Sequence, residues 1–211
     1  MNTIWAIREL CSGKNGLVNL FNEEKSCEKL FSLADSKTEA LHVSALLYGN
    51  ARKALLALIY DAYHYKNYAE KVLEGLISDG LAPEEAQRTL EIFYEAFGFP
   101  GYRRTDPSRE DTLVSTNGSF RTEYRGEVRN GKEHGVGVRT GYYDGEWCNY
   151  DECVWVDGVM YGYDYAKEME FGLFEDKKAG FVADDCFIGT IRVFASSGEE
   201  FDDVGKAPEI I

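Results

Sequence analysis

The sequence lacks any long apolar run. Crossing a bilayer takes roughly 18 consecutive apolar residues, and no segment of the 211-residue chain approaches that length. The first residues, Met1–Glu9, also carry charge where a signal peptide has its apolar stretch. We therefore expect no membrane span and no targeting segment, and we expect the protein to be cytoplasmic.

Histidine and cysteine are scarce, with three and five residues. No histidine has a second ligand residue at a usual metal spacing, and Cys148 and Cys153 do not form a Cys-x-x-Cys motif. An odd number of irregularly placed cysteines in a chain of this size indicates reduced thiols rather than a disulfide framework. We expect no metal, no cofactor and no catalytic residue.

Positive charge is scarce too, because 23 Lys and Arg residues face 37 Asp and Glu residues, a formal net charge of -14. Nucleic-acid and membrane binding depend on basic side chains that neutralise phosphates. The composition therefore argues against direct contact with nucleic acid or with a membrane. It favours another protein with a basic surface as the partner, since the negative field would attract it.

The first half of the chain carries the helical period of apolar residues. The clearest helix begins at Pro83, has Glu84 and Glu85 in its first turn, and ends before Gly98. We predict an α-helical domain at 1–104, with helices at 3–11, 15–22, 26–33, 37–48, 51–62, 68–80 and 83–97.

The pattern changes across a polar segment interrupted by proline, which we interpret as a linker at 105–119. Beyond it, apolar and polar residues alternate, and glycine and aromatic residues become frequent. We therefore predict an α+β fold, with an N-terminal α-helical bundle followed by a C-terminal antiparallel β-hairpin sheet at 120–211.

The segment 124–138 predicts a strand with two different faces. Tyr124, Gly126 and Val128 alternate, so they point to one face, which we expect to be packed. The charged residues between them point to the other face, which we expect to meet water: Glu123, Arg125, Glu127 and Arg129.

Turn residues and glycines complete this hairpin. Asn130-Gly131 is the preferred dipeptide of a tight type I′ turn, and Asp157-Gly158 predicts a second turn of that kind. Gly135 and Gly137 remove side chains from alternate positions of the returning strand. They leave a slot in which a neighbouring aromatic ring could lie against the backbone.

The spacing Tyr-x-Gly-x-Val-x-x-Gly-x-x-His-Gly-x-Gly from Tyr124 to Gly137 resembles a MORN repeat, a short hairpin unit that stacks into an elongated twisted sheet. A second opening, Tyr-x-Gly-x-Trp, begins at Tyr143, and fragments remain at 171–174 and 187–191. The resemblance covers 120–194 and implies a MORN-like sheet. In that family the repeats serve mostly as surfaces for protein interaction or scaffolding.

Aromatic residues of this sheet, surrounded by acids, are the predicted partner-binding site. Tyrosine and tryptophan are common interface anchors, but they also fill the thin core of a sheet. The proposed anchors are Tyr143, Trp147, Trp155 and Tyr163, and the proposed acidic rim is Glu146, Asp151, Glu152 and Asp164. We interpret the other acidic pairs as solvated surface: Asp184-Asp185 and Asp202-Asp203.

These features predict a non-enzymatic adaptor that binds another protein through its sheet surface. One alternative is an acidic inhibitor, immunity protein or nucleic-acid mimic that blocks a basic partner. Such a protein would lose affinity steeply as ionic strength rises. Another alternative is an enzyme whose site is assembled from scattered residues, which a pocket of hydrogen-bonded titratable groups would indicate.

Overall fold

A computed structural model describes residues 1–12, 15–170 and 174–205. Within them, seven α-helices occupy the N-terminal part: α1 (Thr3–Leu10), α2 (Gly16–Leu20), α3 (Glu23–Leu33), α4 (Lys37–Tyr48), α5 (Arg52–Tyr60), α6 (Lys66–Ser78) and α7 (Pro83–Ala96). A short 3-10 helix, Ala62–His64, separates α5 from α6. The predicted helices are confirmed apart from shifts at their ends. None of these described helices has both the length and the apolar character needed to cross a membrane.

The described C-terminal residues form one antiparallel sheet of eight strands that pair in chain order. The strands are β1 (Glu110–Asn117), β2 (Phe120–Arg129), β3 (Lys132–Tyr143), β4 (Glu146–Val156), β5 (Val159–Glu170), β6 (Phe174–Ala183), β7 (Cys186–Phe194) and β8 (Glu200–Val204).

The predicted fold class, a helical bundle followed by a MORN-like hairpin sheet, is wrong in that form. All eight strands belong to one continuous sheet rather than to a row of hairpin units. The sheet also begins at Glu110, inside the predicted linker, and includes β8 beyond the predicted repeats. Residues 171–173, in one of the predicted repeat fragments, and residues 206–211 lie outside the described chain.

The two edge strands were missed for a physical reason. Nearly every residue of β1 and every residue of β8 is exposed. A strand with no buried face has no need of alternating apolar residues, so its sequence does not carry the signal by which strands are recognised. The resemblance to MORN repeats within β2–β7 stays a prediction.

Tight turns connect most of the strands. Both predicted turns are confirmed, since Asn130 and Asp157 have φ angles of 52° and 54°, and the glycine after each is also in the left-handed region. Asp144-Gly145 makes a third such turn. Asp184-Asp185, interpreted as solvated surface, is exposed and forms the turn between β6 and β7. Type I′ turns need positive φ at both central residues, which explains the Asn, Asp and Gly residues there.

One face of the sheet packs on the helices, and we call it the helix side. Phe97 and Phe99, which follow α7, contact Phe181 of β6 at ring-centroid distances of 5.5 and 6.2 Å. Phe99 also contacts Tyr163 of β5 at 5.6 Å. These residues belong to the same buried cluster as the apolar residues of all seven helices. Helices and sheet therefore share one hydrophobic core.

The opposite face, the outer side, has a small core of its own around Tyr124 and Trp155, whose ring centroids are 5.2 Å apart. The Tyr124 ring lies against Gly137 on the neighbouring strand, where a Cβ atom would come within 2.4 Å of the ring carbon Cζ. The predicted slot is therefore confirmed at Gly137, where Tyr124 of the same hairpin fills it, but not at Gly135, where the side chain of Glu127 and not an aromatic ring lies against the backbone.

A buried arginine joins the first helix to the rest of the protein. The Arg8 guanidinium donates from Nε to the Ala96 carbonyl and from Nη2 to the Glu95 carbonyl, both at 3.0 Å. Its Nη1 lies 3.3 Å from Oε2 of Glu127 on β2. The other Glu127 oxygen accepts the Asp106 N–H at 2.7 Å. One side chain thus connects α1, the C-terminal end of α7, and the sheet.

Glu127 corrects one expectation, because its side chain is only 2% exposed instead of meeting water. A bulge between Gly126 and Val128 shifts the register of β2, and α1 covers this end of the strand through Arg8. Burial raises the pKa of Glu127, and the Arg8 charge opposes the rise. Burial also lowers the pKa of Arg8.

We predict that Arg8→Met destabilises the protein by about 3–5 kcal/mol, because it leaves the buried Glu127 carboxylate without its counter-charge. Adding Glu127→Gln should recover part of the loss. Arg88→Met serves as the control, since the Arg88 side chain is 49% exposed and its ion pairs should contribute little. Thermal and urea unfolding measure the effect, and equal losses in the two arginine variants would contradict it.

We also predict that Gly137→Ala destabilises the protein by about 1–3 kcal/mol, because the new methyl group overlaps the Tyr124 ring. Gly180→Ala is the matched control on the outer side, where the nearest atom, Cδ1 of Phe187, is 3.2 Å from an added Cβ. Thermal unfolding of the two variants should show the larger loss at Gly137. An unchanged melting temperature for Gly137→Ala would disprove the packing of Tyr124 on this backbone.

Candidate functional site

The structure divides the eight predicted site residues between two faces and between surface and core. Tyr143 is 60% exposed, Glu146 is exposed, and Trp147 and Glu152 are half-buried. The other four are buried, which corrects their proposed role as exposed anchors and rim: Trp155 (0% exposed), Tyr163 (6%), Asp151 (8%) and Asp164 (1%). Whether the exposed four bind a partner stays a prediction.

The burial has a structural cause, since both faces of the sheet are packed in its middle. Trp155 points to the outer side and packs on Tyr124, whereas Tyr163 points to the helix side and packs on Phe99. Alternation along the strand correctly puts half of the aromatic residues on each face. It does not reveal that each face has a core there.

Asp151 and Asp164 come together on the outer side beneath Arg139. Arg139 lies opposite Asp151 in the β3–β4 pairing, with Nε 3.5 Å from Oδ2, and its Nη2 donates to the Met160 sulfur at 3.5 Å. Oδ1 of Asp164 is buried and has no hydrogen-bond partner among the described residues. Burial, reinforced by the Asp151 charge, raises the pKa of Asp164 well above its ordinary value.

A second surface lies on the helix side, beyond the reach of the helices, and we call it the open face. Cross-strand pairing places its residues in three rows: Arg121–Tyr142–Trp147, Glu123–Thr140–Tyr150–Lys167 and Arg125–Val138–Glu152–Tyr165. Directly paired residues point to the same side of a sheet. Among the described residues, the helix-side core reaches this surface only at Tyr165.

Cations lie over the aromatic rings of the open face. The Arg121 guanidinium is 5.5 Å from the Tyr142 ring centroid. The Lys167 ammonium is 5.3 Å from the Tyr150 centroid and 5.8 Å from that of Tyr165. Each contact holds an aromatic ring and a positive charge at the surface together. The three rows contain three basic residues, Arg121, Arg125 and Lys167, and two acidic residues, Glu123 and Glu152. Their net charge is therefore about +1, whereas the whole chain has a formal net charge of -14.

Two shallow cavities lie along the open face and share Arg125 and Val138 as lining residues. The larger, of about 530 Å³, extends from Arg103 of the connecting segment to Thr112 of β1. The smaller, of about 200 Å³, reaches Tyr142. Together they form a groove that crosses β1–β3 and could receive a side chain or a short segment of a partner.

Most of the open face lies outside the predicted partner-binding site. That site includes Trp147 and Glu152 but not Tyr142, Tyr150, Arg121 or Arg125, and Arg125 was expected only to meet water. The sequence does indicate which residues share a face, because side chains alternate along a strand. The open-face residues stand at odd positions in β2 and at even positions in β3. The sequence does not show where the helices stop covering the sheet, so it could not tell an open surface from a core.

One of the three histidines, His134, is buried between α1 and the sheet. His134 stacks on Trp5 at 4.7 Å, and its Nδ1 accepts the Asp157 N–H at 3.2 Å. Burial lowers the pKa of His134 to about 4, so the ring is neutral at neutral pH. The five cysteines are all free thiols, of which Cys11 and Cys153 are buried. No group of three or more potential metal ligands occurs in the described residues.

We predict that the outer-side acids make stability fall with rising pH. The folded pKa of Asp164 is raised above its unfolded value, so its contribution is complete below about pH 4 and is lost as pH rises through the folded pKa. Burial also raises the pKa of Asp151 and Glu133, which face the same arginine. Asp164→Asn should therefore stabilise the protein increasingly towards high pH, by about 1–3 kcal/mol at pH 8.

Thermal unfolding between pH 5 and pH 8 measures this difference. Asp203→Asn, at an exposed position of β8, is the control and should change little. A constant difference between Asp164→Asn and the parent protein over this range would contradict the prediction.

In comparisons with known proteins, no family model and no curated protein matches the chain.

Proposed function

We propose that this chain is a non-enzymatic protein-binding module that holds another protein on the open face of its sheet. The supporting observation is a set of half-buried aromatic residues, Tyr142, Trp147 and Tyr150, on a part of the helix side that no described helix covers. Tyrosine, tryptophan and arginine are the residues that most often dominate protein interfaces. The helices cover the rest of the helix side, whereas the open face stays accessible to a partner.

The charge of the open face favours acidic groups on the partner. Asp151 and Asp164, expected in an acidic rim, are buried on the outer side. The exposed charges near the open-face aromatic residues include Arg121 and Arg125, whose side chains are 45% and 75% exposed. A partner with an apolar centre and acidic surroundings would match this face, whereas the basic partner expected from net charge would not.

A second candidate function, an acidic inhibitor of a basic partner, is supported by the opposite edge of the sheet. β8 exposes three acids together with Phe201, 47% exposed, and Val204, 81% exposed. Apolar groups among exposed acids could contact a basic surface. Affinity for such a partner would fall steeply with salt, and it would not depend on the open face.

The proposal predicts that two neighbouring tyrosines behave differently. Tyr142 lies on the open face, and Tyr143 lies on the outer side opposite Phe120. Tyr142→Ala should weaken binding of the partner by about 2 kcal/mol or more, whereas Tyr143→Ala should leave it unchanged. The immobilised full-length protein, its two variants and Trp147→Ala would be used to capture proteins from an extract of the native cell.

Proteins retained by the parent and by Tyr143→Ala, but lost from Tyr142→Ala and Trp147→Ala, are the expected result. Melting temperatures of all variants separate lost binding from lost folding. Loss only with Tyr143→Ala would place the interface on the outer side instead. Retention by every variant, with release by moderate salt, would favour the inhibitor.

A further inference from the structure

The free edge of β1 borders the open face and carries backbone groups directed away from the sheet. β1 pairs with β2 and with no other described strand. The Val128 N–H donates to the Arg109 carbonyl at 2.9 Å. Along an antiparallel strand, every second residue directs its backbone groups to the neighbouring strand, so from Arg109 onward the odd-numbered residues of β1 bond to β2. Residues 110, 112, 114 and 116 therefore direct their N–H and C=O groups outward.

The two edges of the sheet differ in how they are protected against another strand. At the far edge, β8 has three acids in five residues, and charges of this kind discourage strand pairing. β1 has acids only at its beginning, and the run Thr112–Asn117 is uncharged and contains Leu113 and Val114. The Thr112 N–H is bonded by the neighbouring Asp111 side chain at 2.7 Å, which an incoming carbonyl could replace.

A cavity lies beside β1 on each face of the sheet. The cavity of about 530 Å³ on the helix side is lined by Thr112 and Arg125. On the outer side, a cavity of about 420 Å³ is lined by Leu113, Ser115 and Tyr124. Side chains of an added strand point alternately to the two faces, so both cavities would be used.

The charges next to β1 indicate which side chains would fit. Thr112 and Thr116 are short and lie opposite Arg125 and Arg121, so a long side chain beyond them could reach either guanidinium. Glu123 lies between the arginines and pairs with both, but its side chain is only 18% exposed. The exposed acids Glu110 and Asp111 at the start of β1 line the same cavity as Arg125. The two exposed guanidinium groups still favour anionic groups at these two positions, since they are the charges that lie directly opposite Thr112 and Thr116.

We propose that an extended segment of another protein adds to β1 as a further strand. The segment carries two acidic residues four positions apart, which lie opposite Thr112 and Thr116 and bind Arg125 and Arg121. The residues between them alternate, with apolar side chains opposite Leu113 and Ser115. The inference rests on the proposed protein-binding function and specifies how the partner is recognised.

The probe is an acetylated and amidated peptide with the core glutamate–valine–threonine–valine–glutamate and serine–glycine flanks, titrated into the full-length protein by calorimetry. Its symmetric pattern fits either strand direction. A second peptide has lysine in place of both glutamates. We expect the glutamate peptide to bind about tenfold more tightly than the lysine peptide, and Arg125→Glu to reverse this preference.

Val114→Pro tests the backbone contact. Proline removes an outward N–H, which β2 does not use, so the fold should survive while strand addition is blocked. Val204→Pro is the matched control at the other edge. The Gly205 N–H donates to the Gly189 carbonyl, so by the same alternation the Val204 N–H is directed away from β7 and proline can replace it without loss of a bond between the strands. We expect Val114→Pro to weaken the glutamate peptide by at least about tenfold, and Val204→Pro to leave it unchanged.

Equal binding by Val114→Pro and the parent, or no saturable binding of either peptide, would overturn strand addition. A parent protein that is dimeric by light scattering, and monomeric as Val114→Pro, would show that a second copy occupies the edge, which also overturns it. The proposed function would survive any of these results if the Tyr142→Ala variant still lost its captured partner. If the captured partner is unaffected by Tyr142→Ala while the glutamate peptide binds β1, strand addition stands and the open face is not the interface.

Discussion

The position of the first helix depends on one buried ion pair. Arg8 is held by two carbonyls at the end of α7 and by Glu127 of β2, so it fixes a helix terminus and a strand at once. The C-terminal carbonyls of a helix lack intrahelical donors, and a guanidinium with several N–H groups can satisfy two of them. Trp5 of α1 stacks on His134 nearby and also lies under Arg109, at 4.2 Å. These contacts place α1 over one end of β2 and β3.

This arrangement leaves the other end of the same strands uncovered. α1 holds the end near Glu127 and His134, and the residues after α7 pack on β5 and β6. No described helix reaches Arg121 or Tyr142. The protein therefore has a rigid core region and an accessible sheet region on the same strands. Surfaces held by a rigid scaffold lose little conformational entropy when they bind.

Helix ends and turns could be predicted from the sequence more accurately than which parts of the sheet are covered by other elements. Helices with clear ends, such as that from Pro83, and turns such as Asn130-Gly131 depend on residues close in the chain, and both were found. Glu127 was assigned to the correct side of its strand, together with Arg125 and Arg129, but was wrongly expected to meet water, because α1 covers that end of the strand through an arginine 119 positions away. Trp155 and Tyr163 were taken as surface residues because alternation gives the side of a strand but not what covers that side. The open face depends on where helices end in space, which no short segment encodes.

The strict pairing of each strand with its sequence neighbours has a kinetic consequence. Every strand pairing in the described sheet joins strands connected directly along the chain, so each pairing closes only a short loop. Proteins dominated by local contacts fold faster than those dominated by distant ones, since closing a long loop costs more entropy before it is compensated. The contacts between helices and sheet span far longer separations, as Arg8 and Glu127 do. We therefore expect hairpins to form early and the docking of α1 onto the sheet to limit the folding rate.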